Sequence, residues 1–203
     1  MKNMREFREL TDAELKTAYN TVYREAFPPK ELKPLFVMRR MAREGSYRTL
    51  GWFEGGEAAG YASLWLAGDG YILLDYIAVP RERRGGGIGA ALLEALLEQH
   101  SPGTVFMIES EAPETAEDGM AERRIAFYLR CGAVPLGFDS GLWGVRYKLF
   151  ALSRAPIDEA AVLARYDALY RRHIPKTVWK KAVRIPLAAG EAAPKYDRRE
   201  ESL

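Results

Sequence analysis

Apolar and polar positions along the chain change period several times, and each change marks an element. Leu15, Ala18, Tyr19, Val22 and Tyr23 fall at helical spacing behind Thr11 and Asp12, two residues suited to cap a helix. The pattern predicts a helix from about Thr11 to Ala26, stopped by Pro28 and Pro29. A second helix is predicted over 31–43, with Leu35, Met38 and Met41 inward and Gly45 at its end. The period then drops to two. Residues 47–53 read as a strand, and Gly55-Gly56 supplies a two-residue hairpin turn. Residues 58–67 alternate, with Tyr61, Ser63 and Trp65 on one face and Ala62, Leu64 and Leu66 on the other. Gly68-Asp69-Gly70 reverses the chain before a strand over 71–79, which completes an antiparallel meander.

The style then breaks. A short basic turn, Pro80 to Arg84, runs into a glycine-rich stretch and a helix over 88–99 with Leu92, Leu93, Leu96 and Leu97 inward. A short apolar strand, 105–109, follows that helix and is expected to run parallel to the strand ending at Val79. A helix over 121–131 closes at Gly132, and strands are predicted near 134–138 and 145–152. Residues 156–172 can form a helix bearing Leu163, Tyr166, Leu169 and Tyr170, while 178–186 is ambiguous and 190–203 reads as a charged, mobile tail. The order implies an α/β fold: a mixed, mostly antiparallel sheet with helices on both faces. Residues 1–152 form the main domain, and 153–203 form a C-terminal helical extension and tail packed on it.

Composition narrows the function classes. Thirty Lys and Arg against 28 Asp and Glu leave a net charge of +2, without the clustered basic face that nucleic acid binding needs. No apolar run approaches the roughly 20 residues of a membrane-spanning helix, and the charged residues 1–9 do not read as a secretory signal. Cys131 is the single cysteine and there are two histidines, His100 and His173, so no metal site is expected. Together these point to a soluble cytoplasmic protein.

The chemistry concentrates at Val79-Pro-Arg-Glu-Arg-Arg84-Gly-Gly-Gly87-Ile-Gly89-Ala90, an Arg-x-x-Gly-x-Gly sequence between a strand and a helix. A helix start leaves unpaired N–H groups and carries partial positive charge, and glycines let an anion reach the backbone. Arg81, Arg83 and Arg84 stand ready to meet further phosphate oxygens. A dinucleotide-binding reading, Gly85-x-Gly87-x-x-Ala90 with Glu109 on the ribose, is poorly placed, because five residues separate Val79 from Gly85 and the upstream strands are antiparallel. A P-loop is excluded, since no Lys-Ser/Thr follows the glycines. A turn that serves the fold alone is the remaining alternative.

With this motif, and with Phe127-Tyr128-Leu-Arg-Cys-Gly132-Ala133 downstream, the chain resembles the GNAT superfamily of N-acetyltransferases over about residues 10–150. The resemblance implies a V-shaped splay between two parallel central strands and acetyl-CoA as acyl donor, with no metal. It places Ile77, Ala78 and Val79 along the cofactor arm. Arg84, Gly85, Gly86, Gly87, Ile88, Gly89 and Ala90 would lie around the pyrophosphate. It implies direct acyl transfer to a primary amine of a small molecule or peptide. Tyr128 stands where the family protonates the departing thiolate; contact with coenzyme A is its simpler role. The family's usual glutamate falls at Leu73, so the base is open among Asp75, two residues on, and Glu109 or Glu111 on the next strand. Arg123 and Arg124 could meet substrate or solvent. Tyr19, Tyr23, Phe27 and Phe36 could line the acceptor pocket or pack the core. The C-terminal stripe could cover a flank or make a homodimer contact. A catalytically silent acyl-CoA-binding module of the same fold is the alternative function.

Overall fold

The computed structural model describes residues 5–29, 31–115 and 119–195. The fold is α/β on a mostly antiparallel sheet, as the alternation of periods predicts. The chain divides into two compact units, Met1–Leu66 with Ile72–Ser101, and Ala67–Tyr71 with Pro102–Leu203.

In the first unit the strands lie in the order β1 (Arg5–Glu9), β2 (Tyr47–Glu54), β3 (Glu57–Gly68) and β4 (Tyr71–Ala78). β1 is the element that pattern reading misses. Arg5, Glu6, Arg8 and Glu9 leave no apolar alternation, and the strand forms by edge pairing with β2, Phe7 opposite Trp52. The first helix, α1, runs Asp12–Ala18, widens into a π turn at Tyr19–Tyr23 and ends at Arg24–Ala26. Helix α2 spans Leu35–Arg43 and not 31–43, because Pro34 sits at its N-cap with ψ 140° and disfavours helix for the residue before it. β3 is buried on both faces from Ala59 to Trp65. On one face Tyr23 donates or accepts at 2.8 Å with Ser63 and lies 6.0 Å from Tyr61 between ring centres. On the other, Gly60 meets helix α3 (Ile88–Gln99) so closely that a Cβ would fall 2.9 Å from both Ile88 Cγ2 and Leu92 Cδ1.

In the second unit β5 (Val105–Glu111) pairs antiparallel with β7 (Val145–Leu152), β7 with β6 (Val134–Leu142), and β6 with β8 (Val183–Leu187). β6 runs past the expected 134–138 through a register shift between Pro135 and Asp139. Helix α4 spans Met120–Arg130, and α5 spans Glu159–His173 behind an Asp158 cap. The ambiguous 178–186 region resolves into α6 (Lys176–Ala182) followed directly by β8. Of the tail expected to be mobile, residues 190–195 belong to this unit: a Cβ on Gly141 would lie 2.8 Å from Pro194, and Arg146 donates to the Glu191 carbonyl at 3.1 Å. Residues 196–203 lie outside the described residues.

Candidate functional site

The turn at 80–90 follows from its residues. Arg81–Arg83 makes one 3-10 turn behind Pro80, and Arg84 is extended. Gly85 and Gly87 take φ of 85° and 79°, a conformation that costs a side-chain-bearing residue about 1 kcal/mol or more. Helix α3 therefore begins abruptly. Its first closed bond runs from the Ala91 N–H to the Gly87 carbonyl at 3.0 Å. No carbonyl or side chain among the described residues accepts from the amides of Gly85 to Ala90. Those six donors, from the exposed Gly85–Gly87 turn into the first residues of the helix, stand at the positive end of a twelve-residue helix whose first turn holds no acidic side chain. A Cβ at Gly85 or Gly87 would meet nothing within 4 Å, so the space before the amides is open. The arrangement fits an anionic group such as a pyrophosphate.

The three arginines divide the labour. Arg83 is spent on the β2–β3 hairpin, reaching Glu54 at 3.3 Å and Glu57 at 3.1 Å. Arg84 turns back, its Nε donating to the Val79 carbonyl at 3.0 Å, which braces the turn against the strand end. Arg81 is exposed and has no ion pair among the described residues. Ile77 and Val79 are half-buried and pack on the cluster of Ala59, Ile88 and Leu92; Ala78 is buried.

Asp75, two residues before Ile77, has a side chain only 5% exposed. Its Oδ1 takes Lys33 Nζ at 2.6 Å and its Oδ2 takes the Tyr47 hydroxyl. Lys33 also lies 4.8 Å over the Trp65 ring. Leu73 is fully buried. Of the four aromatics considered for an acceptor pocket, Tyr23 is core and Phe27 packs edge-on against Tyr76 at 4.8 Å. Tyr19 is half-buried, and Phe36 is 69% exposed.

In the second unit Tyr128 is buried in α4, between Phe127 and Phe150. Burial pushes its hydroxyl up to about 12, so it stays protonated at neutral pH. That hydroxyl has no hydrogen-bond partner among the described residues. Arg124, near it, is half-buried and Arg123 is exposed. Glu109 Oε1 accepts from Tyr166 at 2.5 Å and from Tyr170 at 2.7 Å, and Ser140 joins Tyr166 at 2.9 Å. The α5 stripe is thus satisfied inside this unit: Tyr166, Leu169 and Tyr170 are buried and Leu163 is half-buried. Glu111 is half-buried. Cys131 is half-buried at the C-cap of α4, and burial raises its thiol. His100 contacts the Leu96 carbonyl at 2.8 Å. Among the described residues no group of three or more His, Cys, Asp or Glu could hold a metal, and no helix is long and apolar enough to cross a membrane.

Residues 12–133, six-tenths of the chain, match the model of the Acetyltransferase (GNAT) family. The chain belongs to that family. YjbC of Bacillus subtilis (strain 168), provisionally described as an acetyltransferase, is 28% identical over 106 residues, 52% of this chain and 51% of its own length. The chain thus spans about half the length of this curated relative. Among solved structures, a GNAT-family protein of Bacteroides thetaiotaomicron superposes with a TM-score of 0.68 at 22% identity, covering 84% of this chain and 99% of its own. The ribosomal-protein-S18-alanine N-acetyltransferase of Escherichia coli gives 0.57 at 21%, covering 77% and 97%. A dodecameric spermidine N-acetyltransferase of Vibrio cholerae gives 0.54 at 12%, covering 74% and 94%. These likenesses show the fold. The family uses acetyl-CoA as co-substrate.

Sequence reasoning passed over Lys33, Tyr47 and Tyr76 around Asp75. Lys33 lies in a loop and Tyr47 on β2, so no spacing links them to Asp75; Tyr76 is its neighbour on β4, and only the fold brings its ring to Lys33. It named Tyr166 and Tyr170 only as an apolar stripe, and their i, i+4 spacing was the one available sign that two hydroxyls could converge on one acceptor.

Proposed function

We propose that the chain is an N-acetyltransferase that moves an acetyl group from acetyl-CoA to a primary amine of a small molecule or peptide by direct transfer. The observation that carries this is the run of six unaccepted amides from Gly85 to Ala90 at the open start of α3. They would hold the pyrophosphate, with the arm along Ile77, Ala78 and Val79 and the Arg84 side chain bracing the turn. The bound thioester supplies an activated acyl group.

The remaining roles belong to protons. An amine attacks only when neutral, so a carboxylate must relieve it of a proton. Asp75 and Glu109 are the two candidates, and each is already oriented by neighbours, Asp75 by Lys33 and Tyr47, Glu109 by Tyr166 and Tyr170. Tyr128 is assigned to the departing sulfur. With its hydroxyl at about 12 and a thiol near 8.5, full proton transfer would run uphill. Tyr128 therefore donates a hydrogen bond to the developing thiolate and does not surrender its proton. The cytoplasm is the setting the composition favours.

Thermal unfolding with acetyl-CoA, CoA and NADH, each added separately, tests the cofactor. A ligand bound only by the native state at 100 times its Kd adds about 2.7 kcal/mol of stability. Shifts with the two CoA forms support the reading, and thiol release on adding an amine then separates an enzyme from a silent acyl-CoA-binding module. A shift with NADH and none with acetyl-CoA would refute it.

A further inference from the structure

Lys33 sits in surroundings that suit any primary ammonium ion. Its Nζ lies 2.6 Å from Asp75 Oδ1, 4.8 Å over the Trp65 ring and 5.6 Å over the Tyr76 ring. A carboxylate beside two aromatic faces is the combination that recognises a desolvated cation. The receiving half is rigid: Asp75, Trp65 and Tyr76 stand on β4 and β3, and the Tyr47 hydroxyl on β2 donates to the second oxygen of Asp75. Burial raises Tyr47 far above its ordinary value, so it remains a donor.

The donating half is different in kind. Lys33 arrives on a loop bounded by Pro28, Pro29 and Pro34, outside any helix or strand. Within the loop, Glu31 and Leu32 donate to the Pro28 carbonyl at 2.9 and 3.1 Å. A side chain of the sheet meets its backbone: the Tyr76 hydroxyl accepts from the Lys33 N–H at 2.8 Å and donates to the Glu31 carbonyl at 2.8 Å. The Lys33 side chain is 24% exposed against 5% for Asp75, so the ammonium enters from the solvent side. Asp75 also lies two residues from Ile77, about 7 Å along the strand, beside the segment assigned to the cofactor arm.

We propose that Asp75, Tyr47, Trp65 and Tyr76 form a primary-ammonium site that Lys33 occupies in cis, and that the acetyl acceptor is a primary alkylammonium ion that takes the place of Lys33 when the loop lifts. The acceptor half of this inference rests on the amine-acetylation reading; the ammonium site does not.

The test uses the full chain, the variant K33A and the double variant K33A/D75N, with n-propylammonium chloride as probe and n-propanol as its neutral counterpart. In K33A the site is open, and propylammonium raises the melting temperature while propanol does not; in K33A/D75N neither does. With the built-in competitor removed, the KM for n-propylamine falls about tenfold in K33A. A folded K33A that ignores propylammonium, or a rescue that persists without Asp75, overturns the site. Should K33A fail to fold, the wild type decides: the KM for n-propylamine must rise at least about tenfold in D75N, and an unchanged KM overturns the site. An acetyl-CoA melting shift measured on the same proteins keeps the two questions apart. A CoA shift without ammonium rescue sinks this inference alone, and rescue without a CoA shift sinks the acetyltransfer reading and the acceptor assignment together.

Discussion

Glu14 shows how much a single side chain settles locally. Its Oε2 accepts from the Thr11 N–H at 2.8 Å and the Thr11 hydroxyl at 2.9 Å, and its Oε1 takes Arg8 at 2.7 Å, so one carboxylate caps α1 and ties it to β1. The Arg8 hydrogen bond, followed by the Thr11 amide, lowers Glu14 to about 2 from 4.5. A folded value below the unfolded one means the contribution is complete above about pH 4.5 and is lost as pH falls towards 2. Melting curves should therefore separate wild type from E14Q at pH 7 and bring them together near pH 2; a gap that does not narrow would show that the charge is irrelevant. Tyr128 makes the opposite case. Its ring is buried but its hydroxyl has no partner among the described residues, so Y128F should leave the melting temperature unchanged or slightly higher. Turnover should fall about a hundredfold, with acetyl-CoA binding intact. Unchanged turnover would reduce Tyr128 to packing.

At the scale of elements, the contact between β3 and α3 adjoins the glycine turn proposed to hold the pyrophosphate. Helix α3 starts where it does because Ile88 and Leu92 lie against the bare backbone of Gly60. G60A would force a Cβ to within 2.9 Å of both, costing about 1–3 kcal/mol and tilting the first turn of the helix. Acetyl-CoA should bind more weakly to it. G103A, where a Cβ meets nothing within 4 Å, is the control and should match wild type in both assays. Equal acetyl-CoA binding by G60A and wild type would detach the turn from this packing. The elements themselves were legible wherever one face is apolar: α3 and β7 fall at 88–99 and 145–152 as the pattern predicts. They were illegible where pairing supplies the stability. β1 is a charged edge strand, and β6 outruns its apolar stretch because β7 and β8 hydrogen-bond it on either side.

Across the whole molecule, residues 159–187 contribute side chains to the second unit's core, Val162, Tyr166, Leu169 and Val183 among them. Tyr166 is fully buried, joins Glu109 to Ser140, and is held protonated by burial first and by Glu109 next. Y166F should lower the free energy of unfolding by about 1–3 kcal/mol in urea titrations, because Glu109 and Ser140 each lose a buried partner. A change under about 0.5 kcal/mol would mean that Tyr170 alone satisfies Glu109. The sequence by itself determined the α/β class, the antiparallel meander and the glycine turn ahead of α3, since each depends on neighbours in the chain: period, turn glycines, a helix start. It also offered Asp75, Glu109 and Tyr128 as candidates for the chemistry. What surrounds them came only from tertiary structure. Lys33, Tyr47 and Asp75 are brought together across a loop and two strands, and Glu109 meets Tyr166 from a helix more than fifty positions on. Side-chain partners at such separations leave no periodic trace, because packing selects them by proximity in space and not by spacing along the chain.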